Sequence, residues 1–353
     1  FELYGERAAA SLRAAGFVVA RWLMGDGERH KSLRTAEKSL VFLSEARLER
    51  SDAVVALGGG VVGDLAGFAA AVYLRGVPFI QAPTTLLAQI DSSVGGKTGV
   101  NMRAGKNLIG AFHHPRAVVI DTGTLRTLPR RELTAGWCEA IKQGAVGDRG
   151  LLEQTRRFLV GEAENDEQFE PRHERSRRGR AGESRDEQLA ELIAAQCAFK
   201  ARVVAQDERE DVARTDRLSR RILNFGHTVA HALESVTDYR RFRHGEAVGY
   251  GMLAAGEISV SLGMLDAGEL ELLRETIRLA GRLPRADDLD EGTIIDAIRT
   301  DKKSVGGHVQ WVLLKRLGKA RVIGGKEIAP RTVRAALRAA LRQRPVTQTA
   351  RKI

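Results

Sequence analysis

Along the first third of the chain, short apolar runs bounded by Gly, Pro or Asp alternate with stretches whose apolar positions recur every three or four residues. FVVARWL (17–23), DAVVALGG (52–59), PFIQAPT (78–84) and AVVIDT (117–122) read as short buried strands. Strands alternating with helical patterns predict a parallel, Rossmann-like sheet. The helix-like ERAAASLRAAG (6–16) should follow a first strand, and no such strand precedes it, so the sequence reads as truncated at its start.

After Leu128 the period changes. RELTAGWCEAIKQGA, DEQLAELIAAQCAFKARVVAQ, GHTVAHALESV and HGEAVGYGMLAAGEISVSLGM all carry apolar residues at helical spacing. HVQWVLLKRLGKARVI reads as a hairpin and TVRAALRAALRQR as a terminal basic helix. The expected division is an α/β dinucleotide-binding domain over 1–128 and a mainly helical domain over 129–353. Residues 161–188 run from acidic (Glu162, Glu164, Asp166, Glu167) to basic (Arg172, Arg175, Arg177, Arg178, Arg180) with few apolar positions. Such a stretch cannot bury a core and is expected to be a solvated, mobile insertion.

Composition narrows the function classes. With 353 residues, 43% of them hydrophobic, the chain can bury two cores. No apolar run is long enough to span a bilayer, and the first residues lack a basic-then-apolar leader pattern, so a cytoplasmic protein with no membrane partner is expected. Cys138 and Cys197 are too few for a disulfide framework or a thiolate zinc site. The net charge of +11 suits either nucleic acid or an anionic small molecule. Only 5% of the residues are aromatic, and they do not interleave with the basic ones, which disfavours nucleic acid.

Three motifs carry chemistry. Gly58, Gly60 and Gly63 form GxGxxG at a strand-to-helix junction, where bare backbone and a helix N-terminus suit a pyrophosphate. A tight turn would favour the same glycines. The acid expected about twenty residues later for a ribose is missing, which leaves Asp26-Gly27-Glu28 as the available candidate if NAD binds, although a loop N-cap explains those residues equally well. DSSVGGKTGVNMRAGKN sets Asp91, Lys97, Lys106 and Asn107 among glycines, a loop suited to phosphate or carboxylate. NFGHTVAHALE places His227 and His231 on one helix face. Thr228 stands where a zinc protease needs Glu, so that chemistry is excluded. With His244 and Glu139, two or three histidines and a carboxylate could hold a divalent metal with an open position.

In chain order, DGERHKSL, GGGVVGDLAGF, LRGVPFIQAPTTLLAQIDSSVGGKTGVN, GKNLIGAF, LPRRELTAGWCEAIKQG, LNFGHTVAHALE, HGEAVGYGM and DKKSVGGHVQWVLL resemble the 3-dehydroquinate synthase family over roughly residues 16 to 320. The resemblance implies a Rossmann-like NAD domain, a helical metal domain, an active site in the cleft between them, and a homodimer. It makes Glu139, His227 and His244 the ligands of zinc or cobalt. NAD would meet Asp26, Gly27, Glu28, Arg29, His30, Lys31, Gly60, Val61, Val62, Gly63, Asp64, Thr84, Thr85, Lys97, Lys106, Thr124, Leu125, Arg126 and Thr127. A sugar-acid phosphate would meet Lys97, Asn107, Lys142, Lys200, Arg220, Asn224 and His231, with Lys302 or Lys303. Asp91 would order water around the metal, and Arg75 would reach the neighbouring subunit. DVARTDRLSR lengthens the loop before LNFGHT beyond the family's spacing, so Arg217 and Arg221 rival Arg220.

The resemblance implies an NAD-dependent ring closure: oxidation of a hydroxyl, loss of phosphate, return of the hydride and an aldol closure to 3-dehydroquinate. Its rivals are another sugar-phosphate cyclase, a metal-dependent polyol dehydrogenase, and a basic nucleic-acid-binding protein that uses the Arg-rich insertion.

Overall fold

The computed structural model describes residues 2–102, 105–167, 184–216, 219–300 and 309–342. The chain divides into two compact units, Phe1–Leu128 and Pro129–Ile353.

In the N-terminal unit, helices α1 (Gly5–Ala14) and α2 (Leu33–Glu45) precede strand β1 (Val54–Gly58), helix α3 (Gly60–Val72) and strand β2 (Phe79–Pro83). β1 and β2 are parallel, in register from Val54 opposite Phe79 to Gly58 opposite Pro83. The short β5 (Ala117–Val118) completes a sheet of order β1-β2-β5, preceded in the chain by the antiparallel hairpin of β3 (Lys97–Met102) and β4 (Gly105–Phe112). The α/β class is as the alternation of short apolar runs with helical patterns predicts. Ala36, Leu65, Phe68 and Val100 form one core cluster, and Ala70, Val77 and Phe79 another.

Three expectations are corrected. FVVARWL is not a strand: Phe17, Val18 and Leu23 are exposed, while Trp22 and the following Met24 pack on the first core cluster. An apolar run becomes a strand only where a neighbouring strand takes its backbone hydrogen bonds, and residues 17–23 are not part of a described sheet. DSSVGGKTGVNMRAGKN is no loop but a π-helical turn over Ala88–Ser92 followed by the β3–β4 hairpin. AVVIDT supplies only two strand residues.

The C-terminal unit is built on α4 (Arg130–Gly147), α5 (Arg149–Glu167), α6 (Arg185–Gln206), α7 (His227–Val236), α8 (His244–Ser261), α9 (Ala267–Ala280) and α10 (Glu291–Thr300). A hairpin of β6 (Gln310–Arg316) and β7 (Lys319–Gly324), then α11 (Pro330–Leu341), close it. α8 packs on α4, α7, α9, α11 and β6. It is buried on all sides from Gly245 to Gly256, which is why its sequence is apolar or small nearly all round. The ends of the expected insertion are helical. α5 runs through Glu167, and Ser184 caps α6, its hydroxyl accepting from Glu187 N–H while Glu187 accepts from Ser184 N–H. The middle, 168–183, lies outside the described residues. No described helix is long and apolar enough to cross a membrane. Cys138 is buried and Cys197 half-buried, both as free thiols.

Candidate functional site

Two close backbone approaches place the histidines of the C-terminal unit. Gly226 starts α7 at φ +80°, and a Cβ there would fall 2.7 Å from the Met252 nitrogen. At the start of α8, a Cβ on Gly245 would fall 1.9 Å from the Ala135 carbonyl oxygen, so α8 touches the α4 backbone just beside His244. Only glycine permits either contact. The fully buried Glu246 accepts two hydrogen bonds from Arg131, at 2.8 and 2.6 Å, and one from Arg243 N–H at 2.7 Å. This charge-assisted clamp fixes the first turn of α8.

Glu139 on α4, His227 on α7 and His244 on α8 thereby converge, with one ligand atom from each lying within 4.8 Å of the others. Glu139 Oε1 lies 3.9 Å from His227 Nε2 and 3.4 Å from His244 Nε2, and it accepts no hydrogen bond. Each histidine has its other nitrogen anchored: His227 Nδ1 donates to the Phe225 carbonyl at 3.2 Å, and His244 Nδ1 faces Glu234 Oε2 at 3.4 Å. Anchored Nδ1 atoms leave both Nε2 lone pairs facing one point, the arrangement that metal-binding histidines adopt.

Burial alone would pull the His244 imidazole down, but the carboxylates of Glu234 and Glu139 outweigh it and push it up to about 10. Two carboxylates beside His244, at 3.4 Å each, suit a divalent cation. The donor set of one carboxylate and two imidazoles suits zinc or cobalt and leaves further positions open. Glu234 escapes sequence reasoning as a lone carboxylate. Its signal is spacing, since it follows His231 by three residues and His227 by seven on one face of α7.

His231 lies beside this cluster, its ring 5.7 Å from that of His227 and 6.2 Å from that of His244, but it is not among the three converging donors. Lys142 is buried one turn along α4, with Nζ 2.5 Å from Glu139 Oε2. An ammonium and a carboxylate each lose several kcal/mol on leaving water, and apolar replacements of such pairs are often neutral or stabilising. A buried pair that shares Glu139 with the converging cluster is thus better explained by chemistry than by stability. Lys200 is buried on α6. Arg220 and Arg221 are both buried, with NH1 donating to the Glu208 and Val212 carbonyls respectively, each at 2.7 Å. Asn224 donates to Glu210 at 2.6 Å. Arg217, Lys302 and Lys303 lie outside the described residues.

In the N-terminal unit the GxGxxG turn joins β1 to α3, and Gly59 caps α3 with no side chain. The first turn of α3 thus starts without a side-chain cap at the carboxyl end of β1, where parallel sheets bind ligands. A Cβ on Gly60 would fall 2.8 Å from the Ser92 hydroxyl, itself buried and without a hydrogen-bond partner. That small-residue cradle with an orphaned hydroxyl fits a dinucleotide. Three other expected segments gather at the same edge. Thr84 N–H donates to the Gly58 carbonyl at 2.9 Å, ahead of Thr85. The buried Gln89 amide donates to the carbonyls of Pro83 and Asp121 and to Thr124 Oγ1, which brings in the turn Thr122–Thr127, including Leu125 and Arg126. Lys31, after the turn Glu28–His30, bonds Asp64. Lys97 begins β3, Lys106 and Asn107 lie on β4, and Asp91 sits half-buried in the π-helical turn. Arg75 is exposed, and with Leu74 and Gly76 forms three consecutive left-handed residues at φ +65°, +47° and +122°.

Residues 21–135 match the family described as 3-dehydroquinate synthase N-terminal, and residues 136–304 its C-terminal counterpart. The chain is 45% identical to a 3-dehydroquinate synthase of Nostoc punctiforme, over 91% of this chain and 83% of that one. It is 46% identical to a 3-dehydroquinate synthase of Pelotomaculum thermopropionicum, over 92% and 81%. Among solved structures, it is similar to a 2-epi-5-epi-valiolone synthase from Streptomyces hygroscopicus with NAD+ and Zn2+ bound (25% identity, 96% and 87% covered, TM-score 0.80). It is also similar to a 2-deoxy-scyllo-inosose synthase complexed with carbaglucose-6-phosphate, NAD+ and Co2+ (25%, 94% and 86%, TM-score 0.75). A glycerol dehydrogenase from Schizosaccharomyces pombe shares the fold at 15% identity (96% and 80%, TM-score 0.64).

Proposed function

The chain belongs to the 3-dehydroquinate synthase family, and from that premise we propose how its residues divide the conversion of 3-deoxy-arabino-heptulosonate 7-phosphate into 3-dehydroquinate and phosphate. The observation that carries the reading is the buried Glu139 carboxylate, with an oxygen that accepts no hydrogen bond, facing two anchored imidazoles. Glu139, His227 and His244 would hold zinc or cobalt. The glycine turn from Gly60 to Asp64, with Asp26–Lys31, Thr84, Thr85, Lys97, Lys106 and Thr124–Thr127, would hold NAD.

Held by these residues, the metal would supply Lewis acidity to a substrate hydroxyl and NAD a reversible hydride acceptor, chemistry that would make the neighbouring C–H acidic enough for phosphate to leave. The chain's own groups carry the charge. Lys142, next to Glu139, places an ammonium where a substrate oxygen gains negative charge, and the low local dielectric strengthens that attraction. Lys200 and Arg220 suit the carboxylate and phosphate. NH1 of Arg220 is anchored on the Glu208 carbonyl and NH1 of Arg221 on the Val212 carbonyl, so either could present a pre-oriented planar fork to an anion, and the family resemblance assigns that role to Arg220. Asn224 and His231, with Lys97 and Asn107 from the N-terminal unit, would complete the hydrogen bonds to substrate, while Asp91 orders water. The leaving phosphate can itself accept the C–H proton.

The reading extends to a homodimer in which Arg75 acts on the neighbouring subunit. Leu74 and Arg75 hold left-handed backbone, a strain that clusters at functional sites, and both are exposed. Light scattering should give twice the chain mass, and an active monomer would refute the assignment.

The direct test is phosphate release from the sugar-acid phosphate. Release should fall to background after chelation and return with added zinc or cobalt. Undiminished release from metal-free protein would sink the metal reading.

A further inference from the structure

Five polar side chains of the N-terminal unit form one hydrogen-bonded line. Lys31 is only 4% exposed, and its ammonium donates to Asp64 Oδ2 at 2.5 Å and to Asn107 Oδ1 at 2.6 Å. Asn101 on β3 uses both ends of its amide. Nδ2 donates to Glu28 Oε1 at 2.7 Å, and Oδ1 accepts the Asn107 N–H at 2.9 Å. Its own N–H donates to the Lys31 carbonyl at 2.8 Å, and its backbone bridges to Ser32. Reversing the amide would set oxygen against carboxylate and NH2 against N–H, so one orientation alone satisfies both partners.

Asn107 stands at φ +52°, a left-handed backbone that asparagine tolerates when local hydrogen bonds support it. Here the support comes from Asn101 at its N–H and Lys31 at its side chain. The two residues that shape Asn107 therefore also hold Glu28 and Asp64. Glu28 and Asp64 are assigned to the dinucleotide, and Asn107 to the sugar-acid phosphate.

We propose that Asn101 is a positioning residue that couples dinucleotide occupancy to the substrate-binding posture of Asn107. A ribose hydroxyl hydrogen-bonded to Glu28 stills that carboxylate. The fixed carboxylate orients the Asn101 amide, and the amide holds the Asn107 backbone in its left-handed form. By linkage the effect is reciprocal, so substrate tightens the dinucleotide equally. The inference rests on the dinucleotide reading of the glycine-rich turn.

The test separates this relay from direct contact between nicotinamide and substrate by using ADP-ribose, which lacks the nicotinamide ring. The second ligand is a phosphonate analogue of the sugar-acid phosphate, in which CH2 replaces the bridging oxygen and phosphate cannot leave. Calorimetry on the metal-loaded enzyme gives the phosphonate Kd with and without saturating ADP-ribose. The wild-type ratio should be about fivefold or more, within the usual range for coupled sites. Asn101→Asp keeps the acceptor for Asn107 but sets a second carboxylate against Glu28, and its ratio should approach one. Adding Glu28→Gln restores a donor–acceptor pair with reversed polarity, and the ratio should recover. A wild-type ratio near one despite ADP-ribose binding, an unchanged ratio in Asn101→Asp, or a double variant no better than the single would each overturn the proposal. Failure of ADP-ribose to bind the wild type would instead defeat the dinucleotide reading, and the relay with it.

Discussion

Glu139→Gln should strip the enzyme of metal and of phosphate release together, while Glu234→Gln weakens the metal without abolishing it and His231→Ala leaves it in place. Glutamine keeps the shape of Glu139 but removes the anion between the two Nε2 atoms and leaves the Lys142 ammonium buried without its carboxylate. Loss of a direct ligand should exceed the roughly 10–100-fold cost of altering an outer partner. Glu234 is such a partner through His244 Nδ1, so Glu234→Gln should fall within roughly that 10–100-fold range in metal affinity. His231 lies outside the converging donors. Losing one hydrogen bond to a charged substrate group costs about 1.5–3 kcal/mol, so His231→Ala should reduce kcat/KM by roughly 10–100-fold at full metal content. Metal analysis beside a phosphate assay reads all three variants. Stoichiometric zinc in Glu139→Gln, or metal loss in His231→Ala, would reassign the ligands.

Removing bound NAD should stop phosphate release completely, and restoring it in catalytic amount should recover the full rate without lasting NADH absorbance. The expectation follows from combining three proposed parts: a glycine turn suited to a dinucleotide at the start of α3, a carboxylate-lined pocket at Glu139 suited to a metal, and buried ammoniums at Lys142 and Lys200 suited to anions. Oxidation serves elimination only if the hydride returns within the same turnover. A polyol dehydrogenase, whose fold this chain shares, would consume one NAD per turnover and release no phosphate. NADH accumulating in step with product would rule out the cyclase assignment for this chain.

Much of this architecture was legible in local patterns. Short apolar runs bounded by Gly, Pro or Asp marked β1 and β2, and period-3.6 patterns marked α4, α6, α7 and α8, because run length and period report how the chain buries its apolar side chains. The charged stretch misled at its ends. Capping and i,i+4 spacing extend helices into sequence that buries little, as Ser184 does for α6. FVVARWL misled for the opposite reason, since its apolar content says nothing about whether a neighbouring strand exists to pair with it.

By itself the sequence determined the residue types of the site: a GxGxxG turn, two lysines among glycines, histidines four apart on α7, and Gly226 and Gly245 beside His227 and His244. Their chemistry is local, so it can be read without coordinates. Tertiary structure alone decided which groups meet. Glu139 reaches His227 and His244 across about ninety to a hundred residues of chain only because α8 abuts the α4 backbone at Ala135 and the start of α7 at Gly226 abuts α8 at Met252. Glu234 becomes the anchor of His244, Gln89 the tie between β2 and the Thr122–Thr127 turn, and Asn101 the link from Glu28 to Asn107. Each is an ordinary polar residue in the sequence. Its role arises from long-range hydrogen bonds, which depend on packing geometry and leave no periodic signature along the chain.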